Sequence, residues 1–175
     1  ERCNEILKRL TLNPVEEDEF IDKDINIRDY LNEIISSFKE ISKKDFIFNF
    51  DQDSNPKKIN KSIEIVYGLR NFIGNANKFA KNTIFINLKS DSEITEITIE
   101  DDGNGYPRDI ISKIGEPYLK SNYSKDKSKE GLGLGLFIGK TLLEKNFASV
   151  NCRNSKTRNG AEVHIRWMNR ELFNI

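Results

Sequence analysis

Asn71, Asn75 and Lys78 stand at i, i+4 and i+7, a spacing that gathers all three within about 60° on one face of a helix. A carboxamide oxygen is a hard, neutral ligand of the kind Mg2+ accepts while keeping its other positions for water and phosphate. A lysine on the same stripe adds a point charge for phosphate oxygens. Taken alone, the stripe reads first as the solvated face of an ordinary helix.

Two glycine-rich strings follow in the chain. Asp101 comes first, with Gly103 and Gly105 just behind it. Ile97 and Ile99 form the apolar face of a strand, and Asp101 continues that face by period two, whereas Asp102 points away with Thr98 and Glu100. A carboxylate so placed can accept a hydrogen bond from the exocyclic amine of adenine; guanine would put a carbonyl oxygen there and be repelled. Glycines beside it let backbone approach a flat ligand. A plain turn after a strand also fits, since Asp-Gly is common in turns. The second string is Gly131, Leu132, Gly133, Leu134, Gly135 and Leu136, at the start of a helix pattern. N–H groups at such a helix start favour anions, although a flexible loop entering a helix has the same composition. It follows the charged stretch Lys125–Glu130 rather than a strand, so a dinucleotide fingerprint of the Rossmann type fails on context. Taken in order, the three strings describe a nucleotide pocket.

The surrounding elements must hold these strings in place. Leu31, Ile34, Ile35, Phe38 and Ile41 mark an amphipathic helix, with Asp24 or Asn26 as its cap. Phe46, Phe48 and Phe50 mark a strand. A long helix from Lys61 to Ala80 buries Ile65, Val66, Leu69, Phe72, Ile73, Ala76 and Ala80. Two strands follow on Ile84, Ile86, Leu88 and on Thr95, Ile97, Ile99, then a loop-rich stretch from Gly103 to Gly133. A helix from Leu134 to Lys145 leads into strands Ala148–Arg153 and Ala161–Trp167. In the last strand Ala161, Val163, Ile165 and Trp167 face one way and Glu162, His164 and Arg166 the other, which predicts one wet face. The expected fold class is α/β: a two-layer sandwich of a mixed β-sheet covered on one face by helices.

Composition limits the alternatives. A chain of 175 residues with 28 basic and 28 acidic side chains has no global field to recruit nucleic acid or a membrane surface. No apolar run approaches the ~20 residues that span a bilayer, and the first residues carry no signal-peptide pattern. Two cysteines without metal-type spacing fit a reducing compartment. Cys3, Ile6, Leu7 and Leu10 form a short helical seam, and Thr11–Asp18 with Pro14 reads as a linker. The chain starts without Met inside that helical pattern and reads as a piece of something longer. Cys3 itself can be a small hydrophobe of the seam or a reactive thiol. Cys152, in a strand, is expected to be buried and inert, and His164 to be a solvated sheet histidine.

Asn-x-x-x-Asn-Ala-x-Lys at 71–78, Asp-x-Gly-x-Gly at 101–105 and Gly-x-Gly-Leu-Gly-Leu at 131–136 resemble the N, G1 and G2 boxes of the histidine-kinase catalytic domain. That domain belongs to a wider family with type II topoisomerases, a heat-shock chaperone and mismatch-repair ATPases. The resemblance covers residues 15–175 in order. Glu1–Leu7, Gly115–Tyr118 and Gly135–Glu144 are similar to the RegB/PrrB group of redox-responsive sensor kinases.

The resemblance implies a Bergerat ATP-binding fold at 15–175, with 1–14 as the end of a dimerisation and phosphoacceptor helix plus linker. It implies ATP and Mg2+ as ligands: Asn75 on the metal, Asn71 and Lys78 near the phosphates, Asp101 on adenine with Gly103 and Gly105 lining the base. Gly131, Leu132, Gly133, Leu134, Gly135 and Leu136 would face the phosphates. A lid at 115–130 would carry Tyr118, and Lys120 is the cation put forward for the γ-phosphate. The chain departs from the pattern at Asp102, where Asn or Thr is more usual, and after Tyr118, where relatives often carry Thr and Arg.

ATP-hydrolysing relatives place Glu as general base four residues before the metal-binding Asn. Asn71 stands there in this chain, and an amide accepts no proton near neutral pH. Phosphoryl transfer to a histidine on the dimerisation domain is therefore expected, not hydrolysis, with relay to a response regulator. The whole protein is expected to be a homodimer anchored in the bacterial inner membrane, with this part cytoplasmic. In the RegB-like group a cysteine at the place of Cys3 is associated with redox control. A serine kinase of the anti-sigma type and a catalytically inert ATP sensor are the alternatives.

Overall fold

The computed structural model describes residues 26–51, 62–117 and 134–172. Helix α1 (Ile27–Lys39) starts at Asn26, whose side-chain oxygen accepts from the Asp29 N–H at 3.0 Å. This satisfies one of the donors every helix start leaves open. Ile27, Tyr30, Leu31, Ile34 and Ile35 are its buried stripe. Ile41 was expected in that stripe and is 79% exposed instead. The helix ends at Lys39, so the helical phase that would carry Ile41 inward no longer applies.

Strand β1 (Asp45–Phe50) puts Phe46 into the core and leaves Phe48 and Phe50 partly covered. Helix α2 (Ile63–Phe79) crosses over to β2 (Thr83–Ser90), which lies parallel to β1 with Phe46 opposite Ile84. Ser62 caps α2 by accepting from the Ile65 N–H at 3.3 Å. The antiparallel strand β3 (Ile94–Asp101) follows a tight turn in which Asp91 accepts from the Glu93 and Ile94 N–H groups. The described part of the stretch expected to be loop contains a short helix, α3 (Arg108–Ile111). Helix α4 (Gly135–Lys145) precedes β4 (Ser149–Asn154) and β5 (Ala161–Met168), and α5 (Asn169–Leu172) closes the described chain.

The sheet order is β1-β2-β3-β5-β4, with the β1/β2 pair parallel and the others antiparallel. Ile84, Ile86, Leu88, Ile97, Ile99, Val163, Ile165 and Trp167 alternate onto one face and join the buried stripes of the helices in a single core. The expected two-layer α/β sandwich is the observed one. On the other face, Phe85, Glu100, Glu162 and Arg153 fall in one cross-strand row and Asn87, Thr98, His164 and Asn151 in the next. That face is less wet than the alternation predicts: Glu162 is only 7% exposed because Arg153 donates to its carboxylate at 2.7 Å. A charge so covered must be paired.

Candidate functional site

Helices α2 and α4 run side by side in opposite directions. Glu64 meets Lys145 at 2.7 Å at one end of the seam. Further along, Gly68 faces Leu143, and Gly139 lies against Phe72 and Asn71. A Cβ on Gly139 would sit 2.9 Å from the Phe72 ring and 3.2 Å from the Asn71 Cβ, so the helices approach this closely only without a side chain there. At the other end, the Cβ position of Gly135 is 3.7 Å from the Asn71 side-chain oxygen. The first turn of α4 therefore abuts the polar stripe of α2.

Asn71, Asn75 and Lys78 are all half-buried. Asn71 donates its Nδ2 to the Tyr67 carbonyl at 2.8 Å, which fixes the amide and turns Oδ1 toward α4. The Asn75 carboxamide takes no hydrogen-bond partner among the described residues. Lys78 holds its ammonium 5.3 Å from the Phe79 ring centroid. Helix α4 has no side-chain cap and no acidic residue in its first turn; its first intrahelical bond runs from the Ile138 N–H to Leu134. The N–H groups of Gly135, Leu136 and Phe137 find no carbonyl partner among the described residues, and N–H groups at a helix start favour negative charge.

At the end of β3, Asp101 is 2% exposed. Its Oδ1 accepts from the Gly103 N–H at 2.8 Å and the Ala161 N–H at 3.3 Å, and no described donor reaches Oδ2. Burial pushes this carboxyl above its ordinary value; the two N–H groups pull it part of the way back, Asp102 adds to the rise and Lys44 opposes it. The predicted opposition of the two acids is observed. Asp102 turns outward and accepts from the Lys81 N–H at 2.8 Å and the Asn82 N–H at 3.0 Å. Partial burial works against its ionisation, yet those donors and the Thr83 N–H hold it below the ordinary value.

Gly103 passes so close to the Phe79 carbonyl that a Cβ would lie 2.4 Å from that oxygen. Gly105 has φ +74°, a conformation that favours glycine.

Several residues of this region escaped sequence reasoning. Asn154 accepts from the Tyr106 N–H at 2.6 Å and donates to the Tyr106 carbonyl at 3.1 Å, clamping the loop after Gly105 to the end of β4. Lys44 donates to the Asn77 carbonyl and Ser42 to the Asn77 side chain, stapling the start of β1 to the last turn of α2. Gly160 packs against the Asp101 backbone. Only Gly160 carried a local signal, the Asn-Gly turn pair at 159–160; the other contacts span too much chain to leave one.

Leu134, Gly135 and Leu136 are placed as above. Tyr118, Lys120, Gly131, Leu132, Gly133 and Cys3 lie outside the described residues. Cys152 is half-buried, not buried as expected, and burial pushes its thiol up to about 11. His164 sits on the outer sheet face with Nε2 3.5 Å from Glu96; Arg166 shares the same oxygen at 3.6 Å. The sheet separates it from Asp101 and the α2–α4 seam.

A mixed five-stranded sheet under helices, with an uncapped helix start beside a carboxamide stripe and a buried acid at a strand end, defines a nucleotide-binding α/β sandwich. Residues 60–171 match the family described as histidine kinase-, DNA gyrase B- and HSP90-like ATPases, and the chain belongs to that family. The sensor histidine kinase RegB of Cereibacter sphaeroides is 38% identical over 59% of this chain and 26% of its own length. This chain thus spans about a quarter of that relative. Among solved structures, the mycobacterial sensor histidine kinase MprB superposes with a TM-score of 0.69 at 19% identity, over 83% of this chain and 97% of that one. Full-length ShkA, crystallised with AMPPNP, has a TM-score of 0.68 at 20% identity, over 94% of this chain and 34% of that one.

Proposed function

We propose that residues 15–175 are the ATP- and Mg2+-binding catalytic domain of a two-component sensor histidine kinase, preceded at 1–14 by the end of a dimerisation and phosphoacceptor helix. One observation carries the reading. The Asn75 carboxamide, without a hydrogen-bond partner among the described residues, and the fixed Asn71 amide share a helix stripe with Lys78, and the N-terminus of α4, which has no side-chain cap, adjoins that stripe.

Asn75 is assigned to Mg2+, and Asn71, Lys78 and the N–H groups of Gly135 and Leu136 to the phosphates. The donor set fits that metal. The Asn75 carboxamide oxygen is a hard, neutral donor with no hydrogen-bond partner among the described residues, and Mg2+ is commonly held by few protein ligands plus phosphate and water. When bound, it neutralises charge on the phosphate oxygens. At the other end of the site, Oδ2 of Asp101, which no described donor reaches, accepts from the adenine amine. Gly131, Leu132, Gly133, Tyr118 and Lys120 join the site on the resemblance alone.

Asn71 supplies no base for water, so the chain orients ATP for another nucleophile. A histidine nitrogen of the dimerisation domain forms a bond to the γ-phosphorus. The bond from that phosphorus to the β–γ bridging oxygen breaks, and ADP leaves with the electron pair. The acceptor is not His164, which lies across the sheet from the site. The phosphoryl group then passes to a response regulator. No helix among the described residues is long and apolar enough to cross a membrane; an inner-membrane anchor and homodimerisation are assigned to the rest of the protein.

The test is γ-labelled ATP with the full chain and the separately expressed dimerisation domain of the same kinase. Label should appear on that domain's histidine, not on this chain alone, and disappear with Asn75→Ala. A folded chain that binds ATP and leaves the domain unlabelled overturns the proposal.

A further inference from the structure

Glu100 and Asp101 are neighbours on β3 whose side chains point to opposite faces of the sheet, yet both are buried at 9% and 2% exposure. The turn between β4 and β5 covers both. On the outer face, Ser155 donates its hydroxyl to Glu100 Oε1 at 2.8 Å. Arg158 reaches Glu100 Oε2 at 3.5 Å, and its guanidinium carbon lies 3.5 Å from the Phe85 ring centroid. The Ser155 oxygen also accepts from the Arg158 N–H at 3.1 Å, and the Ser155 N–H donates to the Gly160 carbonyl at 2.8 Å, which closes the turn. The far side of the same turn touches Asp101. A Cβ on Gly160 would overlap the Asp101 carbonyl oxygen at 1.8 Å, and the Ala161 N–H donates to Asp101 Oδ1.

A polar network this deep is strong when every member is paired and costly when one is removed. Its energy is spent on the outer face, away from the nucleotide, but the geometry it fixes is that of the inner carboxylate. Slackening the turn takes the Ala161 N–H from Oδ1 and leaves the Asp101 carboxylate on the Gly103 N–H alone, with its orientation less tightly fixed.

We propose that Ser155 and Arg158, latched on Glu100, are positioning residues for base selection: they hold Gly160–Ala161 against Asp101 so that Oδ1 keeps the Ala161 N–H as well as that of Gly103, and Oδ2 stays presented to the base. The inference rests on Asp101 as the reader of the adenine amine.

The experiment measures dissociation constants of the full chain for Mg2+ complexes of ATP, inosine triphosphate and tripolyphosphate. Inosine carries a carbonyl where adenine has its amine, and tripolyphosphate has no base. Ser155→Ala and Arg158→Met should each weaken ATP about five- to tenfold, the equivalent of one misplaced hydrogen bond. They should lower the ATP-to-inosine preference by the same factor and leave tripolyphosphate unchanged, while Ser155→Thr restores the preference. Equal losses for ATP and tripolyphosphate, or a folded variant with the parent preference, overturn the latch. Asp101→Asn separates the two levels. If it keeps the parent preference, the base-reading role of Asp101 is wrong; if it loses the preference while Ser155→Ala and Arg158→Met keep it, only the latch is wrong.

Discussion

Asp101 and Asp102 are adjacent, chemically identical and oppositely tuned. The folded value of Asp101 lies above that of the unfolded chain. Its contribution to stability is therefore greatest at acid pH and is lost as pH rises through the folded value. Asp102 has the reverse sign: its folded value is depressed, so it contributes above the unfolded value and loses that contribution as pH falls through the folded one. The proposed base-reading role adds a second consequence at Asp101: the ionised carboxylate would accept from adenine, whereas the protonated acid donates and suits a carbonyl. The ATP-to-inosine triphosphate preference should collapse on acidification, with a midpoint above the ordinary aspartate value of about 3.9. Taking the ratio cancels the titration of the phosphates. A midpoint at or below the ordinary value, or the same collapse in Asp101→Asn, would refute it. Asp102→Ala should cost about 1 kcal/mol in urea unfolding, as a lost cap does, and leave base preference alone; Asp102→Asn keeps an acceptor oxygen and should lose less.

The elements decide how closely the two halves of the site can approach. Gly139 sits where α4 crosses Phe72 and Asn71, with no room for a side chain. Gly139→Val should destabilise the chain by about 1–3 kcal/mol through overpacking. It should also weaken Mg2+-ATP binding, since the first turn of α4 is carried away from Asn71. Urea unfolding and nucleotide titration read the two effects separately; a variant that loses stability but binds as the parent does would show that the seam is packing alone. This element-level architecture was largely legible in the sequence. Apolar periodicity located α1, α2, α4 and the five strands, and parity chose Asp101 over Asp102, because both follow from the repeat of a single element. What periodicity cannot carry is which distant residue closes a site. Asn154 on Tyr106 spans 48 residues and Ala161 on Asp101 spans 60. Ser155 and Asn154 look like turn residues in the chain, and only the antiparallel pairing of β4 with β5 brings them to the end of β3. Ile41 misled for the complementary reason, that a helical pattern does not show where the helix stops.

At the scale of the molecule, the α2–α4 seam is knotted at one end and open at the other. At the knotted end, Glu64 takes Lys145 and Asn146, both at 2.7 Å, Ser62 reaches Asn146 at 3.2 Å, and the fully buried Trp167 donates to the Asn146 carbonyl at 3.0 Å. At the open end lie N–H donors of α4 and the Asn75 carboxamide, none with a partner among the described residues. Groups of this kind gain little from folding until a ligand reaches them, so nucleotide should bind the folded chain and not the unfolded one. Mass action then fixes the size of the effect: Mg2+-ATP at a hundred times its dissociation constant should add about 2.7 kcal/mol. For a chain of 175 residues that corresponds to a rise in Tm of about 5–10 °C. Asn75→Ala should leave the melting temperature of the free chain nearly unchanged, because its side chain bonds to nothing described, yet abolish the rise with Mg2+-ATP. Trp167→Phe should do the opposite, lowering the free-chain Tm through the lost bond to Asn146 while keeping the ligand-induced rise. If Asn75→Ala instead lowered the free-chain Tm by as much as Trp167→Phe, Asn75 would belong to the scaffold of the seam and not to its open end.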